Sequence, residues 1–455
     1  MAYEAPAETS TTARRPVPDS GTGRSTAWRD AVGWTVFALV GLGLTALAVR
    51  GGAQLGTASA PFLGRYRVQL GPGTVLAPAV AVTVLVVAAR GWLERVRWPV
   101  VVPLWGYLAA LAWALSLALV DGAAGLTRAL GSPEEYPADL TTVGDHPDRF
   151  IHEFTRDAAG MSVATRGHPP GPVLLLWGLH RLGVTSHLWL GLLLAAIGAL
   201  TVPLVLSAVR GVCGDPVARR YLPVLALAPY AIWTAVSMDA VVATLGAAMV
   251  AAGVRASQRG RTGWRATGWA ALAGLLAGVA ALFSYAAPWL GLALVLLYFA
   301  RRRPFLNVAS GLGALVPVLG AGLLGFSWVD GLRVAHTDWA TRVEPYRSAV
   351  WWSGISLVAL LLAAGPPLFA SLRKVRNTPG WPFLVGAGIA VLFSVLAGLA
   401  RGGVEHAWLP FFPWLTVAVV APERQAGPPV PAPLPLVALG VLVAVVVEAV
   451  LATPW

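Results

Sequence analysis

The sequence predicts an all-α, polytopic transmembrane helical bundle, and three observations carry that prediction. The chain has 455 residues, 57% of them hydrophobic and only 12% charged, well below the roughly 25% charged of a soluble average. Its apolar residues are gathered into runs of membrane-spanning length, about thirteen of them when measured against a hydrocarbon core ~30 Å thick. Its arginines fall in the short breaks between those runs, as expected of loops on the inner side of a membrane. The formal charge of +12 therefore reads as topology. The expected partner is a lipid bilayer, not a nucleic acid. The single cysteine, Cys213, excludes an intramolecular disulfide and a cysteine-based metal cluster.

Residues 1–27 are rich in Ala, Thr, Ser, Pro and Arg without apolar periodicity, which predicts a disordered cytoplasmic tail before a polytopic domain over 28–455. A first span is expected near 31–49, with no small-residue cleavage site after it. Spans near 73–89 and 98–120 flank a basic turn with Arg90, Arg95 and Arg97, which belongs inside. The polar stretch 121–170 then lies outside. The apolar run that follows, 171–183, is too short to cross a bilayer at 1.5 Å per residue and reads as a re-entrant or juxtamembrane helix. Further spans are expected near 187–209, 217–235, 238–254, 267–283, 286–300 and 305–326. A second outer loop covers 327–348, and spans near 349–371, 381–400, 407–421 and 433–452 complete the bundle. The expectation is a multi-pass protein of the cell membrane with its N-terminus cytoplasmic and its C-terminus outside.

The outer loop 121–170 concentrates the chemistry. It carries Glu134, Glu135, Asp139, Asp145, Asp148, Glu153 and Asp157, with His146, His152 and His168 among them. So many titratable groups between apolar spans point to binding or catalysis. Asp139 and Asp145 are the candidate general bases, since a carboxylate near an acceptor hydroxyl can remove its proton as a leaving group departs. His168 opens the His-Pro-Pro-Gly turn that ends the loop. Its prolines suit a helical first turn whose free amides face an anion or simply redirect the chain. Asp239 orients a substrate hydroxyl or caps the helix that follows it. Tyr285 sits at an outer corner.

In the 327–348 loop Asp330, Arg342, Tyr346 and Arg347 stand among tryptophans. Arginine suits a phosphate, and the aromatics suit a sugar face or the membrane interface. The run Arg401 to Phe411 sets Arg401, Glu405 and His406 against an aromatic-rich segment, where they pair with one another or hold an anion. The predicted topology puts all these groups on one outward face. No Walker loop, zinc-ligand spacing or Ser/His/Asp order appears, and glycine runs such as Gly311-Leu312-Gly313 read as close helix packing.

Four stretches, taken in order, resemble the polytopic GT-C glycosyltransferase superfamily, and more narrowly its actinobacterial integral membrane proteins that use polyprenyl-phosphate sugars. They are Glu135-Tyr136…Asp139, Gly167-His168-Pro169-Pro170-Gly171, Trp328…Asp330-Gly331-Leu332, and Val404-Glu405-His406-Ala407-Trp408-Leu409-Pro410-Phe411. With matching hydropathy they cover most of 98–421. The resemblance implies a many-helix fold with its active site at the outer face, where an aspartate of the first outer loop acts as base. It implies a lipid-phosphate sugar as donor, its phosphate held by basic residues of later loops. Asp139 matches the base, with Tyr136 beside it in the same motif. His168 matches the His-Pro-Pro position, and Glu405 the acid near the penultimate spans.

The expected function is transfer of a sugar from a polyprenyl phosphate to an extracytoplasmic glycan or glycolipid, by a single inverting displacement without a cofactor or metal ligand set of its own. The rival from another class is a transporter or flippase of lipid-linked sugars. That rival is expected to place ionisable groups near the bilayer midplane and to carry an internal repeat.

Overall fold

The computed structural model describes residues 20–425 and 427–453, with side chains from residue 26 onward. The described chain is helical almost throughout. Its strand content is one antiparallel two-residue ladder that pairs Arg65 with Ala452 and Tyr66 with Leu451. Most of the tail expected over 1–27 lies outside the described residues. Residues 20–27, however, belong to the first helix, Ser20–Arg50.

Among the described residues, five helical stretches are long and apolar enough to cross a membrane: Thr26–Arg50, Trp98–Val143, His187–Cys213, Met238–Ala256 and Leu306–Leu323. A sixth results if Trp328–Tyr346 and Ala349–Ala364, bent by 97° between them, count as one span. The apolar helices Gly73–Ala89, Ala287–Ala300, Trp381–Leu396 and Leu434–Val450 occupy other expected spans but are shorter. The 17 residues of Gly73–Ala89 rise about 26 Å, just under the ~30 Å hydrocarbon core. These helices make the protein a multi-pass bundle.

Several expected spans are broken, and proline or glycine marks each break. The stretch near 217–235 is a helix Asp215–Ala226 that stops at Leu227, followed by a tight turn Pro229–Trp233. The stretch near 349–371 divides at Gly365-Pro366 into Ala349–Ala364 and Pro367–Arg373. The stretch 407–421 is not a continuous helix. Pro410 and Pro413 lack the amides a helix needs, so the chain passes through short turns Val404–Ala407 and Phe412–Leu415, with residues 408–421 buried. The expected loop 327–348 is instead mostly the helix Trp328–Arg342, capped by Ser327, whose Oγ accepts from the Asp330 amide at 3.3 Å.

Side chains take up the backbone groups freed at these breaks. Trp113 Nε1 donates to the Ala228 carbonyl at 3.1 Å and Trp328 Nε1 to that of Ala281 at 2.8 Å. Ser371 Oγ accepts from the Ala418 amide at 3.0 Å, and Lys374 Nζ donates to the Val419 carbonyl at 2.9 Å. The Tyr221 hydroxyl donates to the Pro413 carbonyl and meets Thr416 Oγ1 at 2.7 Å. Arg373 joins Asp30 of the first helix to Glu423, and Lys374 reaches Glu423 at 3.1 Å.

The tightest helix pair is Gly263–Ala281 against Leu306–Leu323. A Cβ on Gly274 would overlap the Ser310 carbonyl, one on Gly278 that of Ala314, and one on Gly313 that of Ala271. Gly274 and Gly278 stand four apart on one face, the spacing that lets two backbones approach. Gly311, by contrast, has nothing within 4 Å of its missing Cβ. Gly274→Leu is therefore expected to lower stability by about 1–3 kcal/mol through overpacking, while Gly311→Leu stays near neutral. Thermal unfolding of both variants in detergent checks this, and equal losses would remove close packing as the reason for the glycines.

Candidate functional site

The 121–170 segment folds as a chain of short helices and turns, including Tyr136–Asp139, Pro147–Asp157 and Val163–Arg166. Ser162 caps the last of these by accepting from the Thr165 amide at 3.3 Å. The Ser162 amide in turn donates to the Asp139 carboxylate, at 3.1 Å to Oδ2 and 3.3 Å to Oδ1. The Ala164 amide donates to the Glu134 carbonyl at 2.9 Å, so the two ends of the segment are stitched together. His168 Nδ1 lies 2.9 Å from the Ala164 carbonyl. A carbonyl can only accept, so Nδ1 carries the proton. The His168 ring meets Tyr136 edge to face at 5.8 Å. Gly171 closes the motif, its amide donating to the Leu282 carbonyl at 2.9 Å. A Cβ there would collide with that carbonyl, so only glycine lets the His-Pro-Pro turn seat against the Gly263–Ala281 helix end.

This packing leaves a cavity of about 260 Å³. The 121–170 segment contributes Asp121, Arg128, Glu135, Tyr136 and His168 to its wall. The turn after Pro229 supplies Trp233, Ser237 and Asp239, and His406 and Glu448 come from the C-terminal third. Four of the residues expected from the sequence, Tyr136, His168, Asp239 and His406, thus meet in one chamber. Asp239 begins the helix Met238–Ala256, but the cap is Ser237, whose Oγ accepts from the Asp239 amide at 3.1 Å. That frees the Asp239 carboxylate to face His406, with Oδ2 3.6 Å from Nδ1. Ser237 Oγ lies 3.5 Å from the same nitrogen.

The other expected residues are placed elsewhere. Asp139 is buried and engaged with the Ser162 amide, off the cavity wall. Asp145 is exposed and paired with Arg181. Asp330 pairs with Arg333 at 2.8 Å on the surface. Arg342 pairs with Asp338 at 2.8 Å, and Arg166 reaches the same carboxylate at 3.1 Å, which ties the Trp328–Arg342 helix to Val163–Arg166. Tyr285 packs edge to face on Trp328 at 5.4 Å, and Tyr346 is exposed. Arg401 pairs with Glu344 at 2.9 Å rather than with Glu405, donates to the Gly398 and Arg347 carbonyls, and lies over the Trp339 ring. Arg347 donates to the Arg401 carbonyl at 2.9 Å. The arginines expected to hold a phosphate are thus engaged in holding loops together.

Glu405 is fully buried beside the cavity, in the turn after Trp381–Leu396. Its Oε1 accepts from the Leu63 amide at 3.3 Å, which anchors the 51–72 connection. Glu135 stands among the acids named in the loop without a role, and the cavity residues that sequence reasoning leaves out as site candidates are Asp121, Arg128, Trp233 and Glu448. Glu448 carried a readable signal as the one charged residue in the apolar helix Leu434–Val450. Among the described residues no group of three or more His, Cys, Asp and Glu is arranged to hold a metal ion. Comparison with known proteins found no matching family, no matching characterised protein and no matching solved structure.

Burial raises the Glu405 carboxyl above its ordinary 4.5, against the lowering influence of His406 and Arg347. The folded chain then holds a proton that the unfolded chain has released, so stability falls as pH rises from the ordinary value through the raised one. Glu405→Gln removes that slope. Its melting temperature relative to wild type is expected to improve steadily as pH is raised from about 4 towards neutrality. A difference independent of pH would mean that Glu405 ionises in the folded chain as readily as in water.

Proposed function

We propose that this protein is a membrane glycosyltransferase of GT-C-like architecture. It moves a sugar from a polyprenyl-phosphate donor to a glycan or glycolipid acceptor on the extracytoplasmic side of the cell membrane. The observation that carries this reading is the convergence of Tyr136 and His168, from the 121–170 segment, with Asp239 and His406 on one cavity between apolar helices. The sequence's thirteen or so apolar runs and its cytoplasmic N-terminus put that cavity at the outer membrane boundary in this reading.

In the reaction the acceptor hydroxyl oxygen attacks the anomeric carbon of the donor sugar. The bond from that carbon to the phosphate oxygen breaks, and its electron pair leaves on the phosphate. The hydroxyl proton passes to the base. We assign that role to Asp239, because its carboxylate faces the cavity, whereas Asp139 is engaged with the Ser162 amide. His406, 3.6 Å from Asp239 Oδ2, holds the carboxylate and, when protonated, stabilises its charge. Glu135 accepts from a neighbouring hydroxyl of the acceptor. Acids dominate the cavity wall, so the donor phosphate stays outside the chamber and only the reacting carbon meets its mouth.

Transport is the second reading, favoured by Glu448 within the apolar helix Leu434–Val450 and on the same cavity wall. Purified protein in lipid, supplied with radiolabelled polyprenyl-phosphate sugars and a membrane glycan extract, separates the two. Asp239→Asn is expected to cut transfer about 10²–10⁴-fold, as loss of a general base does, while Asp139→Asn lowers the melting temperature and spares the rate of the folded fraction. Collapse of transfer in Asp139→Asn with Asp239→Asn active would move the base back to Asp139. Movement of intact lipid-linked sugar between leaflets with no new glycosidic bond would replace transfer with transport.

A further inference from the structure

The cavity wall carries three charged residues that the proposed displacement does not use. They are Asp121, Arg128 and Glu448. Arg128 Nη2 pairs with Asp121 Oδ2 at 2.6 Å, and the Asp121 side chain is only 8% exposed. The other carboxylate oxygen, Oδ1, is buried and accepts no hydrogen bond. Counting the whole wall among the described residues, the carboxylates of Asp121, Glu134, Glu135, Asp239 and Glu448 face a single arginine or lysine, Arg128.

An independent observation comes from the tryptophans. The buried indoles of Trp34, Trp113 and Trp352 each donate to a main-chain carbonyl, at 2.9, 3.1 and 3.1 Å. Trp233 is 3% exposed and lines the cavity, yet its Nε1–H meets no acceptor. A buried orphan donor costs roughly 1–3 kcal/mol unless something satisfies it. The same chamber thus holds an orphan donor at Trp233 and an orphan acceptor at Asp121.

We propose that the cavity binds a polyhydroxylated ligand bearing a primary ammonium group. Its N–H donors go to Asp121 and Glu448, and one of its hydroxyl oxygens accepts from Trp233 Nε1. An ammonium group has three donors and no acceptor, which fits a wall rich in carboxylates with an unfilled oxygen. A phosphate or carboxylate in its place would bring only acceptors to a wall where carboxylate oxygens already outnumber donors. The volume, about 260 Å³, lies just under the ~300–1,000 Å³ of drug-sized sites and suits one amino-sugar ring. The sugar half of this inference rests on the glycosyltransferase reading, and the ammonium half rests on the carboxylates of the wall and the unfilled Asp121 Oδ1.

The test is calorimetric binding to the full chain in lipid nanodiscs, with glucosamine, glucose, glucose 6-phosphate and ethanolamine as probes. Wild type is expected to bind glucosamine roughly tenfold tighter than glucose, with glucose 6-phosphate weakest. Glu448→Gln and Asp121→Asn bring the glucosamine-to-glucose ratio towards one, whereas Trp233→Phe weakens both sugars and keeps the ratio. Asp121 is paired with Arg128, so Glu448→Gln carries the test if Asp121→Asn fails to fold. Equal binding of the two sugars, or a preference that survives Glu448→Gln, overturns the ammonium site and leaves the transfer reading standing. Glu448-dependent binding of ethanolamine without any sugar overturns the polyol half, while the transfer reading stands or falls on its own assay. Binding of none of the probes overturns the whole inference.

Discussion

A chain that lives among apolar helices has to satisfy its own backbone wherever a helix stops, and that constraint organises this protein. Water is absent from a hydrocarbon core, so each freed carbonyl or amide needs a partner from the protein. Here the partners are long side chains from neighbouring elements. Trp113 reaches the break at Ala228, Trp328 the helix end at Ala281, Tyr221 and Ser371 the irregular stretch 408–421, and Lys374 the Val419 carbonyl. Each such bond also fixes one helix against another. The buried turns are therefore joints of the bundle, and they define where its elements can sit.

The candidate site grows out of those joints. Pro229 and the turn after it take Trp233 and Ser237 out of helical register and set Asp239 in the first turn of the next helix, and Pro410 and Pro413 interrupt the stretch that follows His406. The His-Pro-Pro-Gly turn seats on the Leu282 carbonyl and turns His168 to the same space. Three interruptions, far apart in sequence, leave one chamber between them. Its electrostatic character follows from what was spent elsewhere: the arginines of the surrounding segments are used up on Asp338, Glu344, Asp145 and main-chain carbonyls, while carboxylates remain on the wall. An acid-lined chamber selects for hydroxyl and ammonium donors and against anions.

Much of the fold was legible because hydropathy and arginine placement are one-dimensional signals. The apolar runs became apolar helices, and the short run 171–183 became the helix Gly171–Arg181. The interruptions were less legible. Proline marks a helix break, but whether the broken stretch leaves the bundle or stays buried depends on Ser371, Lys374 and Tyr221, which lie far away in the chain. In the same way the sequence grouped Tyr136, His168, Asp239 and His406 as candidates, and it offered Asp139 and Arg401 with equal weight. Asp139 is buried off the cavity with the Ser162 amide folded onto it, whereas Asp239 lies on the wall facing His406. Arg401 differs from a free cation in having Glu344, Trp339 and the Gly398 and Arg347 carbonyls around it.

By itself the sequence determined the helical, multi-pass class, the concentration of acids and histidines in the 121–170 segment, and the glycine that ends it. The first two follow from composition and periodicity, which neighbouring residues decide, while the need for that glycine comes from the Leu282 carbonyl packed against it. The tertiary structure alone decided which carboxylates face the cavity and which are tied down, and it brought Asp121 and Glu448 to the same wall. The role of a carboxylate is set by the donors that reach it, and those donors come from other elements, from 23 residues away for Asp139 and Ser162 to 342 for Glu405 and Leu63, which no local pattern records.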